Sequence, residues 1–151
     1  MATDQFDLGR RETVAATPPL DPKSLIQHLP AAEYFFAEGC FIIEWWNTPA
    51  DAAVSVARAR VEPGVTTRWH RLRGVTERYL ILEGQGRVEL GDWPPEAVGP
   101  GAVVSIPPGM RQRIANTGSA SLIFLAVCTP RFTPACYEDL GADHPEGEGA
   151  V

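Results

Sequence analysis

His70 and Glu77 stand seven residues apart in "GVTTRWHRLRGVTERYLILEG", the segment from Gly64 to Gly84. An imidazole and a carboxylate brought onto one face can share a single proton or a single cation. A hairpin turning through Leu72 to Val75 would set His70 directly across from Glu77, with Cβ atoms about 5 Å apart. Alternate residues of a strand share a face, so Thr66, Arg68, His70 and Leu72 point one way and Thr67, Trp69 and Arg71 the other. Tyr79 and Ile81 continue the Glu77 face and give it the aromatic and apolar texture of a small-molecule pocket. Arg68 shares the His70 face, where a buried guanidinium needs an anion: either Glu77 or a substrate carboxylate or phosphate. Tyr79, Trp93 and Phe124 either line this pocket or fill the core, the commoner fate of aromatics.

The elements that must hold these residues are short. From Cys40 onward, "CFIIEWWN", "AAVSVARARVE", "TERYLILEG", "GRVELG", "AVVSIP", "RQRIAN" and "SLIFLAVC" are β-branched or aromatic runs, with turn chemistry such as "EPG", "EGQG" and "PPG" between them. Seven such strands without long helices indicate an all-β sandwich or barrel. Residues 1–38 read as an N-terminal arm. It carries one short helix, "DPKSLIQHLP", with Asp21 as cap, Pro22 at the first helical position and Pro30 as stop. The barrel is expected over residues 39–130. Residues 131–151 read as a tail whose Gly-rich, acidic end is disordered.

Composition narrows the setting. A chain of 151 residues is long enough for one domain with a real core. Its net charge of −6 disfavours nucleic-acid binding. No apolar run reaches the length of a membrane span, and the N-terminus lacks a secretory apolar stretch. Cys40, Cys128 and Cys136 are an odd number without paired spacing, which points to a reducing, cytoplasmic location. Twelve of the thirteen basic residues are arginine, and six of them are Arg68, Arg71, Arg73, Arg78, Arg111 and Arg113. The tryptophans Trp45, Trp46 and Trp69 need cover, from the arm or from a second copy of the chain, so a homodimer is expected.

A second segment, "GAVVSIPPGMRQRIAN" from Gly101 to Asn116, runs into Pro107-Pro108-Gly109 and returns through Gln112. With Gln112, Ile114 and Asn116 facing in, Arg111 and Arg113 face out. The two segments together resemble the paired motifs of the cupin superfamily. Gly64, His70, Glu77 and Gly84 match the first motif, with Leu72 in place of its second histidine. Gly101, Pro107, Gly109 and Asn116 match the second, with Gln112 in place of its histidine. The resemblance implies a small antiparallel jelly-roll β-barrel, often dimeric, that holds one metal near its mouth with three histidines and a glutamate.

Here two of those ligands are replaced. His70, Glu77 and Gln112 remain as candidate metal ligands, one nitrogen and two oxygen donors suited to iron, manganese, nickel or zinc. Alternatively the site is metal-free, with Glu77 and His70 as the catalytic couple and Arg68, Tyr79 and Gln112 as ligand-binding side chains. Two functions follow. One is an enzyme acting on a small organic molecule at the barrel mouth, at a mononuclear metal site or without a metal, by proton transfer of the isomerase, cyclase or lyase type. The other is a non-catalytic cupin that binds a small ligand without metal.

Overall fold

The computed structural model describes residues 21–28 and 32–141. Its strands are β1 (Tyr34–Phe36), β2 (Cys40–Trp46), β3 (Ser55–Val61), β4 (Trp69–Leu72), β5 (Thr76–Glu83), β6 (Gly86–Leu90), β7 (Glu96–Val98), β8 (Val103–Ile106), β9 (Gln112–Asn116), β10 (Leu122–Thr129) and β11 (Tyr137–Gly141). They form two antiparallel sheets, β1-β2-β3-β10-β5-β8 and β11-β4-β9-β6-β7, which close on one another as the jelly-roll barrel expected. Alternation of apolar and polar residues fixes which face of each strand turns inward. Tyr79, Ile81 and Phe124 of the first sheet thereby share a core with Val88 and Ile114 of the second. A separate cluster of Leu72, Val75, Cys128 and Cys136, packed against Phe132 and Tyr137, fills the space where β4 and β5 diverge.

The two barrel motifs act first as scaffolding. The Asn116 amide donates to Val61 O at 2.9 Å and Ala120 O at 2.8 Å, and its Oδ1 accepts from Gly118 N at 2.9 Å. All of these ties are buried or half-buried, so this one side chain pins the β9–β10 turn to β3. At the other turn, Gly109 N donates to Leu72 O at 2.8 Å and anchors the end of β4.

Several expectations are corrected. His70 and Glu77 do not face each other across a hairpin, because β4 pairs with β9 and β11 while β5 pairs with β10 and β8. The chain crosses from one sheet to the other between Leu72 and Thr76. The two residues approach through the barrel interior instead. The arm and the tail each contribute a strand, since Tyr34–Phe36 edges one sheet and Tyr137–Gly141 pairs with the His70 strand. The helix expected after Asp21 is a single 3-10 turn, Pro22–Ser24, capped by Asp21 accepting from Lys23 N at 3.0 Å. Residues 21–28 are all exposed, so no buried face stabilises a longer helix. Its expected stop, Pro30, and the ends 1–20 and 142–151 lie outside the described residues.

Trp69 does turn outward, yet it is only 7% exposed. The guanidinium groups of Arg111 and Arg113 each sit 4.6 Å from its ring centroid, so arginines on the neighbouring strand region cover it. Trp69 therefore needs no second subunit for cover. Trp93 neither lines the interior nor fills the core, being 68% exposed.

Candidate functional site

Glu77 occupies the start of β5, with Cys128 of β10 on one side and Ile106 of β8 on the other. Gln112, at the start of β9, stands opposite His70 of β4 in the second sheet. The closing of the barrel brings Gln112 Nε2 to 2.7 Å from Glu77 Oε2, to which it donates. His70 and Gln112 are 2% and 1% exposed, and Glu77 is buried with them. Three of the four polar residues expected in the interior therefore converge there, along with Tyr79, whose ring lies 4.4 Å from that of Phe124.

Arg68 is the fourth, and the structure places it outside. It precedes β4, where strict alternation does not hold, and its guanidinium pairs with Asp139 at 3.0 Å on the partly exposed surface. Its main-chain atoms matter more. Arg68 N donates to Glu38 O at 2.7 Å, and Arg68 O accepts from His70 Nδ1 at 2.9 Å. A carbonyl only accepts, so Nδ1 carries a proton and Nε2 is the ring atom turned to the site. Arg68→Ala is accordingly expected to shift stability by less than about 1 kcal/mol, the worth of an exposed pair. Ligand affinity should stay unchanged, as thermal unfolding and titration of the variant would check.

Glu38 is the site residue that sequence reading missed. It sits in the turn joining β1 to β2 and is buried, with Oε2 3.5 Å from His70 Nε2 and Oε1 accepting from Cys40 Sγ at 3.3 Å. The available signal was a lone carboxylate inside the aromatic and apolar run "YFFAEGCFII". Tyr137, also unforeseen, stacks on the His70 ring with centroids 5.4 Å apart.

Burial dominates the electrostatics. It lifts the Glu77 carboxyl to about 7, with nearby His70 pulling it down and Glu38 pushing it up. Burial also raises the Tyr79 hydroxyl and the thiols of Cys40 and Cys128, which keeps those thiols protonated and unreactive. Glu38, Glu77 and Tyr79 line a cavity of about 60 Å³ bounded mainly by β1, β2, β3, β5 and β10.

Comparison with protein-family models matches residues 57–128 to the cupin domain. The chain folds as a cupin. Among solved structures, this cupin is similar to the Streptomyces nucleoside dehydratase PAC13, with a TM-score of 0.61 at 18% identity over 74% of this chain and 85% of that one. It is also similar to KdgF from Halomonas sp., with a TM-score of 0.59 at 16% identity over 68% of this chain and 90% of that one. The Lactobacillus farciminis oxalate decarboxylase formate complex gives a TM-score of 0.62 at 21% identity, over 72% of this chain and only 33% of that one. Comparison with curated proteins finds no match.

The metal that the fold family implies can be tested against the donors this cupin presents. Gln112 turns its amide nitrogen, not its oxygen, toward Glu77, so the two cannot ligate one ion as they stand. Leu72 is packed in an apolar cluster. Among the described residues, no three histidine, cysteine, aspartate or glutamate side chains stand close enough to hold an ion. The set His70, Glu77 and Gln112 thus does not fit a mononuclear metal centre. Gln112 and Glu77 instead share one hydrogen bond, and His70 faces Glu38. Among the described residues, no helix is long and apolar enough to cross a membrane.

Proposed function

We propose that this cupin is an enzyme that binds a small organic molecule in the Glu77 cavity and moves a proton on it, in a dehydration, isomerisation or cyclisation. The observation that carries this reading is a buried, cavity-lining carboxyl held at about 7. A base is most effective when its pKa lies near the working pH, because it is then both available and strong enough to take the proton. Gln112 fixes one oxygen of Glu77 and leaves the other nearest the Cys128 thiol at 3.9 Å, a weak partner that a ligand can displace. His70, oriented through the Arg68 carbonyl, stands behind the cavity wall and can exchange a proton with the cavity-lining Glu38. Tyr79 supplies an aromatic wall with a protonated hydroxyl.

The fold likeness to a nucleoside dehydratase is consistent with water loss as one member of this class, although the fold by itself selects no reaction. The test is to incubate the protein with a panel of small hydroxylated carbonyl compounds in deuterated water and follow solvent-deuterium incorporation or water loss by NMR. Glu77→Gln should abolish any exchange that the wild type shows, at least about a hundredfold, the usual worth of a general base. Ligand binding without exchange in the wild type would instead make this a non-catalytic binding cupin.

A further inference from the structure

The cavity walls have an unbalanced chemistry. Three carboxylates line it, from Glu38, Glu44 and Glu77, and among the described residues no lysine, arginine or histidine does. His70 stands behind the wall and faces Glu38. Even with His70 protonated and Glu77 neutral, the charges of Glu38 and Glu44 exceed that of the imidazole by one. Arg131 donates to Asn47 Oδ1 at 2.7 Å but does not itself line the cavity. A ligand carboxylate or phosphate would meet repulsion here without a compensating partner.

The hydrogen-bonding groups repeat the pattern. The Asn47 amide nitrogen is already engaged, donating to Glu44 Oε1 and Phe132 O, each at 3.1 Å. The Gln112 amide, which does not line the cavity, is held against Glu77, and its carbonyl oxygen Oε1 is buried with no partner. The donors that do line the cavity, the hydroxyls of Tyr34, Ser55 and Tyr79, carry no charge. Five aromatic rings, from Tyr34, Phe36, Tyr79, Phe124 and Phe132, line the wall together with small and aliphatic side chains. Ring faces attract cations, and carboxylates with aromatic walls together are how proteins hold organic ammonium groups. The cavity, about 60 Å³, has room for one small head group.

We propose that the cavity selects a small organic ammonium ion, whose charged head lies among Glu38, Glu44 and Glu77 and whose carbon skeleton rests on the aromatic wall. This rests on the reading that the Glu77 cavity is the ligand site, and it adds the class of ligand. It also reverses the anionic ligand that Arg68 suggested from sequence.

The experiment titrates wild type and Glu44→Gln with butylamine, butanol and butyrate at neutral pH, followed by protein NMR shifts. These probes share a skeleton and carry positive, zero and negative charge. Butylammonium should bind at least about tenfold more tightly than butanol, with butyrate not binding. In Glu44→Gln that preference should fall severalfold while butanol binding is kept. Equal or tighter binding of butyrate or butanol, a preference unchanged by Glu44→Gln, or no binding of any probe would overturn the proposal. Glu44 is not one of the proton-transfer groups, so the two readings fail separately. Ammonium selectivity without Glu77-dependent exchange removes only the catalytic reading, and Glu77-dependent exchange with anion selectivity removes only this one.

Discussion

Replacing Glu77 with glutamine is expected to raise the midpoint of thermal unfolding by about 10 °C near pH 8 and by little near pH 4, while removing proton transfer. The folded carboxyl sits at about 7 against an ordinary 4.5, because the barrel interior penalises its charge. A carboxyl whose pKa is raised on folding binds its proton more tightly in the native state. Its contribution to stability is therefore fully present below 4.5, declines as the pH rises, and is lost above about 7. At about 1.4 kcal/mol per pH unit, the charged form costs the native state about 3 kcal/mol in alkaline solution. Glutamine has nearly the same shape and can still accept from Gln112 Nε2, but carries no charge to desolvate. Thermal unfolding of both proteins across the pH range checks this. A difference that does not change with pH, or a variant less stable than wild type near pH 8, would show that Glu77 is not held in this way. The same desolvation that costs stability sets the carboxyl near neutrality, as the proposed proton transfer requires, so the gain and the loss expected of this variant have one cause.

The residues that make this site were only partly legible in the sequence. Period-two alternation identified His70, Glu77, Tyr79 and Gln112 as inward side chains, because the face of a strand is a local property. Alternation says nothing about which sheet a strand joins. The short turn after Leu72 looked like a hairpin, although the chain there steps between sheets and leaves pairing partners far away in sequence, in β9, β10 and β11. Arg68 was misplaced for a related reason. Two residues before His70 is one step before the start of β4, where the backbone is already turned by its bond to Glu38 O. The same bond holds Glu38 in the site, and no local pattern foretells a contact between a turn at residue 38 and a strand entrance at residue 68. Leu72 departs from the family's histidine for a reason that appears only in three dimensions. It belongs to the cluster that closes the barrel against Cys128, Cys136 and Tyr137, so an apolar plug stands where a ligand would otherwise project.

The two glycines that bracket the first motif give the second large prediction, because they are conformationally alike and sterically opposite. Gly64 and Gly84 have φ values of +77° and +86°, in the left-handed region. An alanine there costs about 1 kcal/mol from backbone strain alone. At Gly64 nothing lies within 4 Å of the added Cβ, so Gly64→Ala should lower stability by that amount and no more. At Gly84 the added Cβ would fall 2.6 Å from Ser121 O and 2.9 Å from Leu122 Cα, both main-chain atoms that cannot rotate aside. Relief requires the end of β5 to separate from the start of β10, the strand pair that carries Glu77, Tyr79, Phe124 and Cys128. Forced overpacking of this kind costs about 1–3 kcal/mol beyond the strain, so Gly84→Ala should lose about 3 kcal/mol, or about 10 °C in the unfolding midpoint. Chemical denaturation of both variants measures the contrast. Equal losses at the two positions would mean that torsion alone explains these glycines, and that the close approach of β5 and β10 does not constrain the barrel where Glu77 is held.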